Sequence, residues 1–501
     1  MDWLFKRKHE INGRTAFLIF FIFSLLIFFP TFFSKKFFWD DERFIFLNPE
    51  VLQAPHCFSF WLFKGEFHKT WPLGYSVFWL LIRSSFFNSI IAFKILNVFF
   101  HSFNSFLVFN LLRRAKCSFP FFSTLFFLMH PLNVEVVSWV FQLLIILSNC
   151  FLLLSLRSFL LFIENKKMSS YFFSFLFFIL SLWTKANGVF FVIFLAGIYF
   201  SSSGGNSPKK IAHFIPFLII SVLLGLINIA GTQFQISKNS YRFNGVEQVI
   251  SKTVQLQMNH FDLGEEYNLV DSNDLSYLNF IYNVGHESDP GLSLPFNRIQ
   301  FFKQGIWFFA SNIIFPYDLK FIYPVKYIAS LQIAICIIFF FVLPVFFSDD
   351  RKLLLIPLGF FCFLLPYLGL TYITFFYWSM NANRYAYTFL LLFPLFIGHI
   401  CARSYHSPYR MILIVFYLFY LAGQAVNFGW KFNHHDIIYK MAVHDRPHPV
   451  FYSLLCQEYL AGKKVTVAFD VLKEGEKLFP NDEQLKICKI HLSNYNDLIN
   501  K

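Results

Sequence analysis

Runs of apolar residues recur along most of this chain, among them Thr15 to Phe33, Ile91 to Leu112, Leu143 to Ile163, Tyr171 to Trp183 and Ala329 to Phe347. Several reach the roughly 20 residues that cross a hydrocarbon core. A water-soluble fold has no room for them: 56% of the 501 residues are hydrophobic, 77 are Phe, and 14% are charged, where a soluble domain carries roughly 25%. The chain is therefore predicted to be an all-α integral membrane protein. The first run follows Lys6, Arg7, Lys8 and Arg14. Its apolar core is longer than a signal peptide's and no small-residue cleavage site follows, so it is predicted to be a retained helix.

Lysines and arginines set the expected orientation, because cationic loops stay on the cytoplasmic side. The basic N-terminus, Arg113, Arg114 and Lys116, Lys166 and Lys167, Lys209 and Lys210, Arg351 and Lys352, and Arg403 and Arg410 all fit one cytoplasmic face if pairs of helices separate them. This requires the stretch from Gln300 to Pro316 to lie in the outer interface, and it yields about eleven spans. The N-terminus is then cytoplasmic and the C-terminal tail extracytoplasmic. The net charge of +13 reads as topology and attraction to anionic headgroups rather than nucleic-acid binding. Eight cysteines form no CxxC pair, and most lie in apolar runs, where a thiol behaves as a small hydrophobe.

Residues 1–429 are expected to form the membrane domain, with a first outer loop at 34–89 and an outer loop plus interfacial helix at 233–326. Residues 430–501 form a soluble helical tail. In it the sequence predicts helices from Val450 to Leu460, from Val465 to Leu478 and from Asp482 to Leu492, punctuated by Gly462 and Pro480. That rhythm matches about one and a half tetratricopeptide units. So short a solenoid needs to pack on the membrane domain, on a partner protein or on itself.

Four sets of polar residues interrupt the apolar pattern. Asp40, Asp41 and Glu42 directly follow the first span, a costly place for acids beside lipid. They read either as a solvated loop anchored by Trp39 or as a general base that takes a proton from an acceptor hydroxyl at the membrane surface. Adjacent like charges are expected to raise one carboxyl's pKa. His130, Asn133 and Glu135 break two apolar runs, as a helix-breaking connection or a pocket lining; the His-x4-Glu spacing would suit a metal, but no third ligand is evident. Lys185 and Arg384 each lie at the outer end of a span, against the positive-inside trend. They read as snorkelling side chains or as recognition of a lipid phosphate, for which Arg offers a planar fork and Lys a point charge. Tyr317, Tyr323 and Trp378 fit an interfacial belt or a sugar and lipid platform.

In order along the chain come Trp39-Asp40-Asp41 leading to Asn48-Pro49; Trp71-Pro72-Leu73; Asn97, His101 and Asn104 ahead of Leu111-Leu112-Arg113-Arg114; His130-Pro131 with Val134-Glu135 and Trp139; Trp183-Thr184-Lys185; Pro316-Tyr317 with Tyr323-Pro324; and Asn383-Arg384-Tyr385-Ala386-Tyr387. With the repeat-like tail, this ordered set resembles the transmembrane and tetratricopeptide-repeat proteins and their bacterial relatives, which belong with protein O-mannosyltransferases in the GT-C glycosyltransferase superfamily. The resemblance runs from about Phe37 to Pro480. It departs where the family carries a charged stretch after the Trp, here Val140 to Ile146 with Gln142 as its polar residue, and where the family's Arg before Pro-Leu is Trp71.

The resemblance implies a GT-C-like arrangement of the helices and a multi-pass enzyme of the cytoplasmic membrane. Such an enzyme moves a sugar, mannose or another hexose, from a polyprenyl-phosphate carrier to an acceptor protein, glycan or lipid at the outer face. By the same resemblance Asp41 or Asp40 is the catalytic base, Arg384 and Lys185 hold the donor phosphate, and His130, Glu135, Tyr385 and Glu42 line the pocket. No metal ligand set is assigned, and a divalent cation stays open as an assistant. The competing readings are a transporter or flippase of lipid-linked sugars, whose class favours broken helices near the midplane, and a catalytically inactive scaffold that recruits a protein partner through its tail.

Overall fold

A computed structural model of the chain describes residues 11–34, 36–46, 48, 51–52, 54–62, 71–84, 89–202, 211–238, 298–324, 326–338, 351–368, 378–379 and 381–499. The second outer loop beyond residue 238, Lys209 and Lys210, Pro49 and the far part of the run ending at Phe347 lie outside the described residues. Helices make up the described chain, joined by short 3-10 turns, with no strand among the described residues. In order they are α1 (Gly13–Ile27), α2 (Pro72–Arg83), α3 (Ile90–Arg114), α4 (Pro120–Leu128), α5 (Val134–Ser138), α6 (Leu143–Asn165), α7 (Met168–Thr184), α8 (Phe191–Ser202), α9 (Ile215–Lys238) and α10 (Arg298–Ile314). There follow α11 (Ser330–Ile337), α12 (Leu355–Leu364), α13 (Tyr387–Leu390), α14 (Phe393–Ser404), α15 (Pro408–Phe432), α16 (His435–Asp445), α17 (Pro449–Ala461), α18 (Val465–Leu478) and α19 (Glu483–Ile499). The second outer loop begins later than Gln233, because α9 carries on to Lys238.

Four described helices are long and apolar enough to cross a bilayer: Ile90–Arg114, Val140–Asn165, Ala212–Ile229 and Pro408–Phe432. Two bent pairs raise the number to six. Pro120–Leu128 meets Pro131–Ser138 at 49°, and Asn383–Leu390 meets Phe393–Ser404 at 58°. Both bends fall at a proline, Pro131 and Pro394, which removes a backbone donor and clashes with the preceding turn. Four shorter apolar helices, Gly13–Ile27, Met168–Thr184, Phe191–Phe200 and Leu355–Tyr367, pack among them. The amphiphilic α10 is not in either set.

Burial separates the centre of the bundle from its rim. The Val140–Asn165 helix is 72% buried, whereas Ala212–Ile229 is 22% and Pro408–Phe432 28%. The rim helices turn side chains such as Ile219, Leu226, Phe416 and Phe419 outward, as a lipid-facing surface requires. The basic ends of several helices meet on one side. Arg114, closing α3, pairs with Glu164 near the end of α6. Tyr171 of α7 donates to the His213 carbonyl at 2.8 Å, and Gly398 of α14 lies against Cys117 and Ser118, just beyond α3.

At the other side the first loop, the α4–α6 connection and the tail pack together. The tail helices α17 and α18 lie where the sequence places them, α19 starts as expected but runs past Leu492 to Ile499, and α16 adds one more. Phe38 packs on Phe432 and His435, and Trp39 on Phe451. Lys36 pairs with Glu458 of α17 at 3.0 Å, and Lys320 with Asp445 of α16 at 2.8 Å.

Candidate functional site

The first loop is turned by Trp39, which sits at φ 51°, a left-handed conformation uncommon for a residue with a side chain. The turn is closed twice: Asp41 N–H donates to the Phe38 carbonyl at 3.1 Å, and Phe38 N–H donates to Asp41 Oδ2 at 3.1 Å. Asp41 Oδ1 reaches out of the loop and accepts from Phe141 N–H at 2.8 Å. The carboxyl is almost fully enclosed, 1% exposed, and burial pushes its pKa from 3.8 up to about 8, against the pull of the Phe38 and Phe141 donors and of Lys94. Asp40 contributes the smallest push. A raised pKa was expected from the adjacent carboxylate; desolvation is the larger cause. Asp40 is half-buried.

Phe141 belongs to the connection that the His130-Pro131 break creates. Glu135 of α5 forms an ion pair with Arg384, and both are buried. The guanidinium lies over the rings of Trp139, 5.1 Å, and Tyr385, 4.9 Å, and it is in Coulombic reach of Asp40. Trp139 Nε1 is buried and has no hydrogen-bond partner among the described residues, an unusual state for an indole donor. Gln142, the next polar residue along, accepts from Lys185 Nζ at 3.2 Å. That ammonium also stands 5.3 Å from the Trp71 ring and 5.7 Å from the Phe141 ring.

Local packing explains these placements. Gly74 lets α2 press against the end of α7, since a Cβ there would stand 2.9 Å from the Thr184 carbonyl oxygen, and this sets Trp71 beside Lys185. The two cation segments are also joined through Tyr367. Its ring stacks on Tyr385 at 4.1 Å and 6°, and its hydroxyl donates to Asn187 Oδ1 at 2.9 Å. The segment from Glu135 to Gln142 thus touches Asp41, Lys185 and Arg384.

The remaining expected residues lie differently. His130 Nδ1 accepts from Leu132 N–H at 3.3 Å, so Nε2 is the donor to the Ile313 carbonyl of α10 at 3.0 Å. Its ring pins the break to α10, whereas Glu135 turns to Arg384. Among the described residues no group of three His, Cys, Asp or Glu side chains is disposed to hold a metal. The backbone of Glu42 opens a short helical turn, Glu42–Phe46; its side chain lies outside the described residues.

Lys94 was absorbed into an apolar run in the sequence, yet it is central. Its ammonium, 3% exposed, donates to the carbonyls of Thr31 (3.0 Å) and Ser34 (2.8 Å) and to Asn433 Oδ1 (3.3 Å). One residue thereby ties the start of the first loop, α3 and the end of α15 together beside Asp41. A lone cation within a membrane-length apolar run was the available signal. Further along α3, Asn97 Nδ2 holds the Val137 and Trp139 carbonyls at 3.2 and 2.9 Å. His101 Nε2 donates to the Leu128 carbonyl at 3.1 Å, which leaves Nδ1 to accept from Tyr387 Oη at 2.9 Å.

Compared with family models, with curated proteins and with solved structures, the chain matches none.

Proposed function

We propose that this chain is a glycosyltransferase of GT-C type that takes a sugar from a polyprenyl-phosphate carrier and delivers it to a hydroxyl-bearing acceptor at the outer face of a cytoplasmic membrane. The observation that carries the reading is the Glu135 to Gln142 connection, which gathers an acid-bearing loop and two cations at one end of the helical bundle. In this reading the four long helices, the two bent pairs, the four short apolar helices and the run that begins at Ser330 cross the bilayer, about eleven spans in all. The C-terminal helices form a tetratricopeptide-like tail outside.

The roles divide by exposure. Asp41 spends both oxygens on backbone donors, so it positions the loop; half-buried Asp40 is the base. The Asp40 carboxylate takes the acceptor's hydroxyl proton as that oxygen bonds to the anomeric carbon. The bond from that carbon to the carrier phosphate breaks, and its electron pair stays on the phosphate oxygen. Lys185 and Arg384 offset the charge that develops there. Gln142 and Trp71 stand against Lys185 where the family that the motifs resemble carries charge, so the donor's headgroup meets an amide and an indole.

The test is transfer of a labelled sugar from a panel of polyprenyl-phosphate sugars by the protein in lipid nanodiscs, with mass spectrometry of glycans from cells with and without the chain. Asp40→Asn is expected to lower kcat by about 10²–10⁴-fold with KM held, and Lys185→Met to raise KM for the donor. Unchanged kcat in Asp40→Asn would overturn the base assignment. No transfer from any donor, with identical glycans in the two cell lines, would overturn the activity.

A further inference from the structure

The tail carries a small apolar core of its own: Tyr452, Cys456, Ala468, Leu472, Leu485, Cys488 and Leu492 are buried together. Seven side chains bury little area, and a unit of this size is marginal without a staple. Two of the seven are cysteines on different helices. Cys456 of α17 is 0% exposed and Cys488 of α19 is 2% exposed, and their sulfurs lie 2.9 Å apart. Four of the other six cysteines, Cys150, Cys336, Cys362 and Cys401, lie in apolar helices; this pair lies in the soluble segment, away from the basic ends of the bundle.

We propose that Cys456 and Cys488 are a modification site: they are joined by a disulfide that staples α17 to α19 before the tail docks on the first loop. The inference rests on the extracytoplasmic placement of the tail, where disulfides persist, and not on the transferase reading. Thiols already in contact need little side-chain rotation to reach bonding geometry. The oxidant belongs to the class of disulfide-bearing thiol oxidants. One cysteine thiolate attacks the oxidant's disulfide and expels one of its sulfurs as a thiol. The second cysteine thiolate then attacks the mixed disulfide, forms the Cys456–Cys488 bond and expels the other. The protein loses two electrons and two protons, and the oxidant leaves as a dithiol. Because both sulfurs are enclosed in the folded tail, the exchange takes place before the core closes.

The bond holds α17, which carries Glu458 and Phe451, in register with the rest of the tail, and so steadies the face that packs on Lys36 and Trp39. The test traps thiols with N-ethylmaleimide as cells are lysed, purifies the full chain, denatures it and maps peptides without reductant. A linked Cys456–Cys488 peptide that separates on reduction is expected. Cys456→Ser should leave Cys488 alkylated, and dithiothreitol should speed protease cutting within the tail of the wild type while leaving Cys456→Ser unchanged. Both cysteines alkylated without reductant would overturn the proposal. A C-terminal reporter assayed in the same cells separates the causes: with the tail outside, the pair itself fails; with the tail inside, the topology fails along with it.

Discussion

At the residue scale the decisive side chain is Asp41. Its carboxyl is held near pKa 8 against an ordinary 3.8 because enclosure outweighs two backbone donors and the Lys94 charge. Between those values the native state keeps a proton that the unfolded chain has released. This contribution to stability is therefore complete below 3.8 and is lost as the pH rises through about 8. In detergent, the thermal midpoint of the wild type is expected to fall between about pH 5 and about pH 9, and Asp41→Asn to flatten that slope. An equal slope in the variant would assign it to another group. Lys94 provides the companion test. Lys94→Met leaves the buried Thr31 and Ser34 carbonyls without this donor, at a cost of about 1–3 kcal/mol. If the two residues are energetically coupled, Lys94→Met in an Asp41→Asn background costs measurably less, and strict additivity would show that they are not. Asp41 stood out in the sequence because an acid after a span is conspicuous. Lys94 did not, since the apolar residues around it satisfy lipid and protein interior alike.

At the element scale, legibility followed punctuation. The tail helices α17 and α18 lie within a residue or two of their expected bounds because Pro449, Gly462 and Pro480 mark their ends, while no helix is expected from the sequence between Trp430 and Val450, where α16 lies, and α15 runs to Phe432, past the expected boundary at 429. The His130-Pro131 interruption was visible, but its partners were not. Where every face of a helix is apolar, the hydrophobic period carries no information about which face meets which neighbour. The docking of α17 is where an element's stability is exposed to measurement. Although burial opposes it, hydrogen bonding and charge from His435 and the Lys36 ammonium hold the Glu458 carboxyl down to about 2, from 4.5. The sign is opposite to that of Asp41: the stabilisation is present above 4.5 and is lost as the pH falls through about 2. Hydrogen exchange of α17 is expected to accelerate across that window in the wild type. Glu458→Gln should exchange faster already at neutral pH, with no further step on acidification. An α17 whose exchange is insensitive to both changes would mean that Lys36 and His435 do not hold it.

At the scale of the whole molecule, the count of spans is a question of length. A 15-residue helix such as α1 rises about 22 Å, short of a hydrocarbon core of about 30 Å. The 3-10 turn Phe29–Phe33 continues it and adds about 10 Å, so the composite run reaches a length that the α-helix alone does not. The expected count of eleven includes such composite runs as crossings; among the described residues four to six helices are long enough as they stand. Charge supplies the orientation that length cannot. Arg114 beside Glu164, and the close approach of α14 to the end of α3, gather basic termini at one side, while Asp41, Lys185 and Arg384 share a connection at the other. A bundle so polarised should insert with the basic side in the cytoplasm. A reporter enzyme active only outside the membrane, fused after Lys501, is therefore expected to be active, and the same reporter fused after Lys116 to be silent. Activity from the Lys116 fusion with silence from the Lys501 fusion would invert the molecule. It would then place the acid-bearing loop where an outer-face acceptor never arrives, and the transferase reading would fall on topology alone, whatever the side chains of the site can do.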